Sequence, residues 1–187
     1  MTTLSEITPL SVHRLLGARR SNDVMDEAKL PSRVSEALHE GSRTAMMLGP
    51  AEWLVLNQES VGSLDPTIVP GQPFFVLDES DAWRLFRLQG KGAGDIVAQF
   101  CPIDIGAVEG TACVTHLARH PAIVMPRSSG EVAILVPRSY AASLVALIRD
   151  AITRSDSSVC GRYDVGLQDT DFKTDPPPER CDRIQRD

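Results

Sequence analysis

Two cysteines and two histidines crowd one stretch of this chain, CPIDIGAVEGTACVTHLARHP, as Cys101, Cys113, His116 and His120. Thiolate and imidazole are zinc ligands, and four of them fill a tetrahedral site. The spacing works against that chemistry. The pattern is C-x11-C-x2-H-x3-H, whereas structural zinc knuckles hold their cysteine pair across two to four residues. The histidines would share a helix face, but TACVTHLARHPA reads as strand and turn. Four positions along a strand span roughly 13 Å, too far for one ion without a bend. The sequence therefore assigns the cysteines as small buried hydrophobes, His116 to a strand and His120 to a turn, with no metal on this chain.

A second candidate is LQGKGAGD, residues 88–95. It lies between an extended run and a helix, where a phosphate loop would sit. Asp95 replaces the third glycine of the dinucleotide fingerprint and would place a carboxylate against a pyrophosphate. Glu109 has nearly the right downstream spacing for a ribose but falls in a loop, and the following runs look antiparallel. A glycine-rich corner is the better account. Ser128, Ser129 and Ser139 lack a nucleophile-elbow context. Cys101 sits near a helix C-terminus, where the dipole opposes a thiolate. Asp78, Glu79 and Asp81 share one turn and read as capping or solvated groups. No catalytic residue is assigned.

The elements that must position these groups follow from periodicity. RTAMMLG and EWLVL, split by Gly49-Pro50, predict a hairpin with strands near 43–48 and 52–57. PFFVLDES and DAWRLFRLQG predict further strands. Ala93, Ile96, Val97 and Phe100 fall on one helical face. GTACVTHLA, AIVMPR and EVAILVP predict an antiparallel meander. Tyr140, Leu144, Leu147, Ile148 and Ala151 then share a second helical face, with Ser139 as its N-cap. The order describes an α+β fold, an antiparallel sheet with helices on one face, close to a ferredoxin-like arrangement. Residues 1–40 read as an N-terminal arm with one or two helical turns on a surface, 41–152 as the core, and 153–187 as a polar, proline-bearing tail.

The 187 residues are 42% hydrophobic and 24% charged, with a net charge of −6. That balance describes a globular chain able to bury a core without staples. Its sign opposes non-specific binding to nucleic acid or anionic membrane. No run reaches the length of a membrane span, and the N-terminus has no secretory pattern. Four cysteines without a CxxC pair fit a reducing, cytoplasmic compartment.

Four segments in order carry a resemblance: LGPAEWLVL (48–56), VLDESDAWRLFRLQGKGAGDIVAQFCPIDI (76–105), GTACVTHLARHPAIV (110–124) and VAILVPRSYAASLVALIRDA (132–151). Together they resemble the gamma subunit of heterotetrameric sarcosine oxidase, a family related to the folate-binding aminomethyltransferase (glycine cleavage T-protein) fold. The resemblance implies a non-catalytic subunit that packs against a large alpha subunit, with beta and delta subunits completing the complex. It implies FAD, FMN, NAD and zinc held in other subunits and none of them on this chain. It further implies oxidation of sarcosine to glycine with release of hydrogen peroxide and transfer of the one-carbon unit to tetrahydrofolate. The residues expected to meet a partner are Trp53, Trp83, Arg138 and Tyr140, since Trp, Tyr and Arg dominate desolvated interfaces. Core packing is the competing account for each. The alternative reading is a stand-alone folate-binding or aminomethyltransferase-like protein, in which Asp78, Asp81 or Asp104 would hold the pterin.

Overall fold

A computed structural model describes residues 1–8, 10–17, 30–58, 75–101, 104, 110–128 and 130–158. Ten strands and two α-helices lie among the described residues, with one 3-10 turn at Ser80–Ala82. They are β1 (Thr3–Ile7), β2 (Ser11–Leu16), β3 (Ala37–Glu40), β4 (Arg43–Gly49), β5 (Glu52–Asn57), β6 (Phe75–Asp78), β7 (Trp83–Gln89), α1 (Ala93–Ala98), β8 (Cys113–Leu117), β9 (His120–Ser128), β10 (Glu131–Pro137) and α2 (Arg138–Ser158). They build two five-stranded antiparallel sheets. Sheet A has the order β1-β7-β10-β9-β8 and sheet B the order β3-β4-β5-β2-β6.

Apolar residues on both faces of the central strands explain the stacking. In β10, Val132, Ile134 and Val136 face the helices and meet Leu144, Ile148 and Ala151 of α2 and Ile96 and Val97 of α1. Ala133 and Leu135 face the other way and meet Val12, Leu54 and Leu56 of sheet B. Sheet B is double-sided too, with Leu15, Met47, Trp53 and Val55 forming a third cluster with Leu30 on its far face. Strands buried on both sides need no polar alternation. That is why WLVL and VAILV read as unbroken apolar runs.

The α+β class with helices on one sheet face holds, as do the 43–57 hairpin and the 113–137 meander. Three expectations are corrected. The helical turns expected in the first residues are strands: β1 pairs with β7 and β2 lies between β5 and β6. Val12 and Leu15 are buried there and need the sheet partners to stay so. Ser139 does not cap the second helix, which already begins at Arg138. That helix runs to Ser158, past the expected core boundary at 152. The tail from 159 on, with Cys160 and Cys181, and the segment 59–74 lie outside the described residues.

The glycine corner at 88–95 has a packing cause. Gly90 has φ +131°, and a Cβ there would stand 2.6 Å from the Met1 carbonyl oxygen and 2.8 Å from Thr2 Cα. The N-terminal strand passes directly over this position, so only glycine fits.

Candidate functional site

The cysteine–histidine segment folds so that its ligand-like groups diverge. A two-residue turn, Ala118-Arg119, joins β8 to β9, and both residues have positive φ, 47° and 71°. Leu117 therefore pairs with His120, and His116 with Pro121. Cross-strand partners share a face. His120 thus leaves sheet A on the helix side with Leu117, while His116 leaves on the opposite side. One ion cannot bind both imidazoles. Cys101 is buried among the helix-side apolar residues, its Sγ 3.4 Å from Thr115 Oγ1. Cys113 Sγ is likewise 3.4 Å from Thr111 Oγ1. No group of three or more metal-ligating side chains converges among the described residues.

His120 instead fastens the β8–β9 turn to α2. Its Nδ1 donates to the Ala118 carbonyl at 3.0 Å, and its Nε2 lies 2.8 Å from Ser143 Oγ. Its ring meets Tyr140 edge-on at 5.5 Å. Sequence reading missed this contact because 23 positions separate His120 from Ser143 and neither sits in a motif.

A charged knot forms where the chain crosses from sheet B to sheet A. Arg14 of β2 donates from Nε to Glu79 Oε1 at 2.7 Å and from Nη2 to Glu79 Oε2 at 3.1 Å. A third donor of Arg14, Nη1, binds Glu52. Trp83 Nε1 donates to Glu79 Oε2 at 2.9 Å. The bond to Glu79 holds the Arg14 guanidinium above its ordinary pKa. Burial pushes the Glu79 carboxyl up, but the bonds from Arg14 and Trp83 and the Arg14 charge outweigh it, and the net shift is downward. Asp78, hydrogen-bonded by the Ser80 hydroxyl and backbone N–H, is also held below the ordinary carboxylate range.

The four expected contact residues separate cleanly. Trp53 is 0% exposed, and its Nε1 donates to the Pro31 carbonyl at 2.9 Å. It is a core residue with no face to offer a partner, which corrects its assignment as a contact. Trp83 is half-buried beside the charged knot. Arg138 and Tyr140 are exposed on the first turn of α2. Of the three candidate pterin holders, Asp78 and Asp81 line one open groove of about 450 Å³ beside Trp83. Asp104 is exposed and does not line that groove.

No family model matches the chain. Over 130 residues it is 29% identical to sarcosine oxidase subunit gamma from Corynebacterium sp. (strain U-96), a match covering 66% of this chain and 63% of that relative's length. A solved structure of heterotetrameric sarcosine oxidase from Corynebacterium sp. U-96, in complex with pyrrole 2-carboxylate, superposes with a TM-score of 0.72. That match is 25% identical and covers 82% of this chain and 84% of the other. This chain is similar to a sarcosine oxidase gamma subunit. The resemblance carried by the four segments therefore holds in sequence and in fold. Glycine cleavage system aminomethyltransferase T from Bartonella henselae shares the fold, with a TM-score of 0.54, 13% identity and 45% of that chain covered. Among the described residues, no helix is long and apolar enough to cross a membrane.

Proposed function

We propose that this chain is the gamma-type subunit of a heterotetrameric sarcosine oxidase and acts there as a structural partner of the large alpha subunit. The observation that carries the reading is the superposition on the Corynebacterium complex over more than four fifths of both chains, together with the sequence match to its gamma subunit. In this reading the beta and delta subunits complete the assembly. FAD, FMN, NAD and zinc reside in the other subunits. Sarcosine is oxidised to glycine with hydrogen peroxide as co-product, and tetrahydrofolate accepts the one-carbon unit. Trp83, Arg138 and Tyr140 contribute to the contact with the alpha subunit, and the assembly is cytoplasmic.

Chemistry within the chain supports a non-catalytic role. The Arg14–Glu52–Glu79–Trp83 constellation among the described residues is internally satisfied, with donors matched to carboxylate oxygens. Such a knot stiffens a chain crossing and leaves no activated nucleophile or base. The test is purification of the tagged full-length chain from its native host. A yellow complex of four different chains that produces hydrogen peroxide from sarcosine is the expected result. A colourless single chain, or turnover of sarcosine by this chain alone, overturns the proposal.

A further inference from the structure

Two open grooves meet on the surface where β1, β7 and the start of α2 come together, and their charges are segregated. The first, of about 340 Å³, runs between β1–β7 and α2; it carries three guanidinium groups, Arg84, Arg138 and Arg149, against one carboxylate, Glu6. Its floor is apolar, with Leu4, Phe86 and Val145. The second is the groove beside Trp83, and it carries Asp78 and Asp81. Glu6 and Arg84 line both, so the two form one continuous surface. On a chain of net charge −6, a local excess of three cations over one anion is an exception built by the fold.

Among the described residues, neither end is neutralised from within. Arg138 Nη1 reaches Asp81 only at 3.9 Å, with side chains 62% and 103% exposed, and such a pair contributes almost nothing in water. Arg149 has no ion pair among the described residues. In the middle, Arg84 Nε lies 3.5 Å from Glu6 and its Nη1 donates to the Trp83 carbonyl at 2.7 Å. The first turn of α2 holds no acidic residue, so the positive end of the helix dipole adds to the basic side. From Arg138 to Arg149 the helix advances about 16 Å. A surface this long and open to solvent suits an extended segment better than an enclosed small molecule.

We infer that this bipolar groove is the docking track for one segment of the large partner subunit. The segment carries acidic groups where it faces Arg138 and Arg149, apolar side chains over Leu4, Phe86 and Val145, and a basic group where it faces Asp78 and Asp81. The inference rests on the proposed function and deepens it, because charge order along the track fixes the direction in which the partner lies. Segregated rim charges act mainly on encounter rate and register.

The test compares tagged full-length chains co-produced with the other three subunits, with captured flavin read by absorbance across a salt series. Wild type is expected to capture flavin and to lose it as salt rises. Arg149→Glu and Asp81→Lys are each expected to weaken capture about tenfold at low salt, since each places like charges face to face. Lys91→Glu makes the same charge change as Arg149→Glu on an exposed turn outside the track and is expected to capture as wild type does. The melting midpoint of each isolated variant confirms that it is folded. Wild-type capture with both track variants matching Lys91→Glu overturns the track and leaves the proposed function standing. Failure of wild type itself to capture any flavoprotein overturns both.

Discussion

The crossing from sheet B to sheet A allows one energy to be worked from geometry. Arg14 grips Glu79 through two parallel N–H···O bonds, and the two side chains are 25% and 23% exposed. A fully exposed ion pair contributes about 0.2–1 kcal/mol, and a hydrogen bond to a charged group inside protein about 1.5–3 kcal/mol. With roughly a quarter of each side chain in water, a value between those ranges follows, about 1.5 kcal/mol for the pair. The perturbation is a double-mutant cycle of Arg14→Met and Glu79→Gln in a Trp83→Phe background, which removes the other partner of the carboxylate. Urea unfolding of the four chains yields the coupling. The pH dependence supplies an independent check. The Glu79 carboxyl sits below its ordinary value of 4.5 in the folded chain, so the unfolded chain binds more protons beneath that pH. The stability it contributes is present above 4.5 and is lost as pH falls through the folded value. Glu79→Gln should flatten that part of the profile. A coupling below about 0.3 kcal/mol, the usual error of additivity, would refute the reasoning that this knot holds the crossing.

Trp53→Phe should lower stability by about 2 kcal/mol, because it opens a small void and leaves the Pro31 carbonyl without its donor. Urea unfolding measures this, while assembly at saturating subunit concentration should be unchanged. Gly90→Ala should cost about 3 kcal/mol through left-handed strain and the clash with the first two residues, read as a drop in the urea midpoint. Arg119→Gly should stabilise by about 0.5–1 kcal/mol, since φ of 71° strains a side chain and not a glycine; a rise in melting temperature checks it. Burial and the Arg127 charge lower the His39 pKa below 6.5. The unfolded chain therefore takes up that proton first, and stability falls as pH drops from 6.5. His39→Gln should lessen that fall in pH-dependent urea midpoints.

Local signals located most strands and both helices, because apolar runs and 3.6-residue spacing depend only on neighbours in sequence. Two sheets were not visible as two. Splitting the strands requires knowing that β2, near the start, inserts between β5 and β6, and no local pattern specifies a partner 36 to 65 residues away. The first strand was missed for a related reason. TLSEI is short and mostly exposed, so its pairing is set by Leu85 to Gln89 and not by its own composition. The divergence of His116 and His120 was half legible. Strand spacing argued against a shared ion, but the turn at 118–119 uses alanine and arginine where asparagine and glycine would have announced it. The charged knot and the bipolar groove were not legible, since Arg14, Glu52 and Glu79 come from three separate strands or their ends. Trp53 and Trp83 show the limit of residue type. One lies in the far core of sheet B and the other at the rim of a groove, and both follow acidic or alanine neighbours that reveal neither.

Sheet A is bounded by β1 from the start of the chain, whereas its neighbour β7 follows the whole of sheet B, and Thr3 aligns with Gln89. At roughly 5–20 residues per second, a ribosome delivers the first of these about 4–17 s before the second. Sheet B can close its hairpins in that interval, while the leading strand waits unpaired. Its mostly polar composition, SEI after TL, keeps that waiting segment soluble until the rest of its sheet emerges.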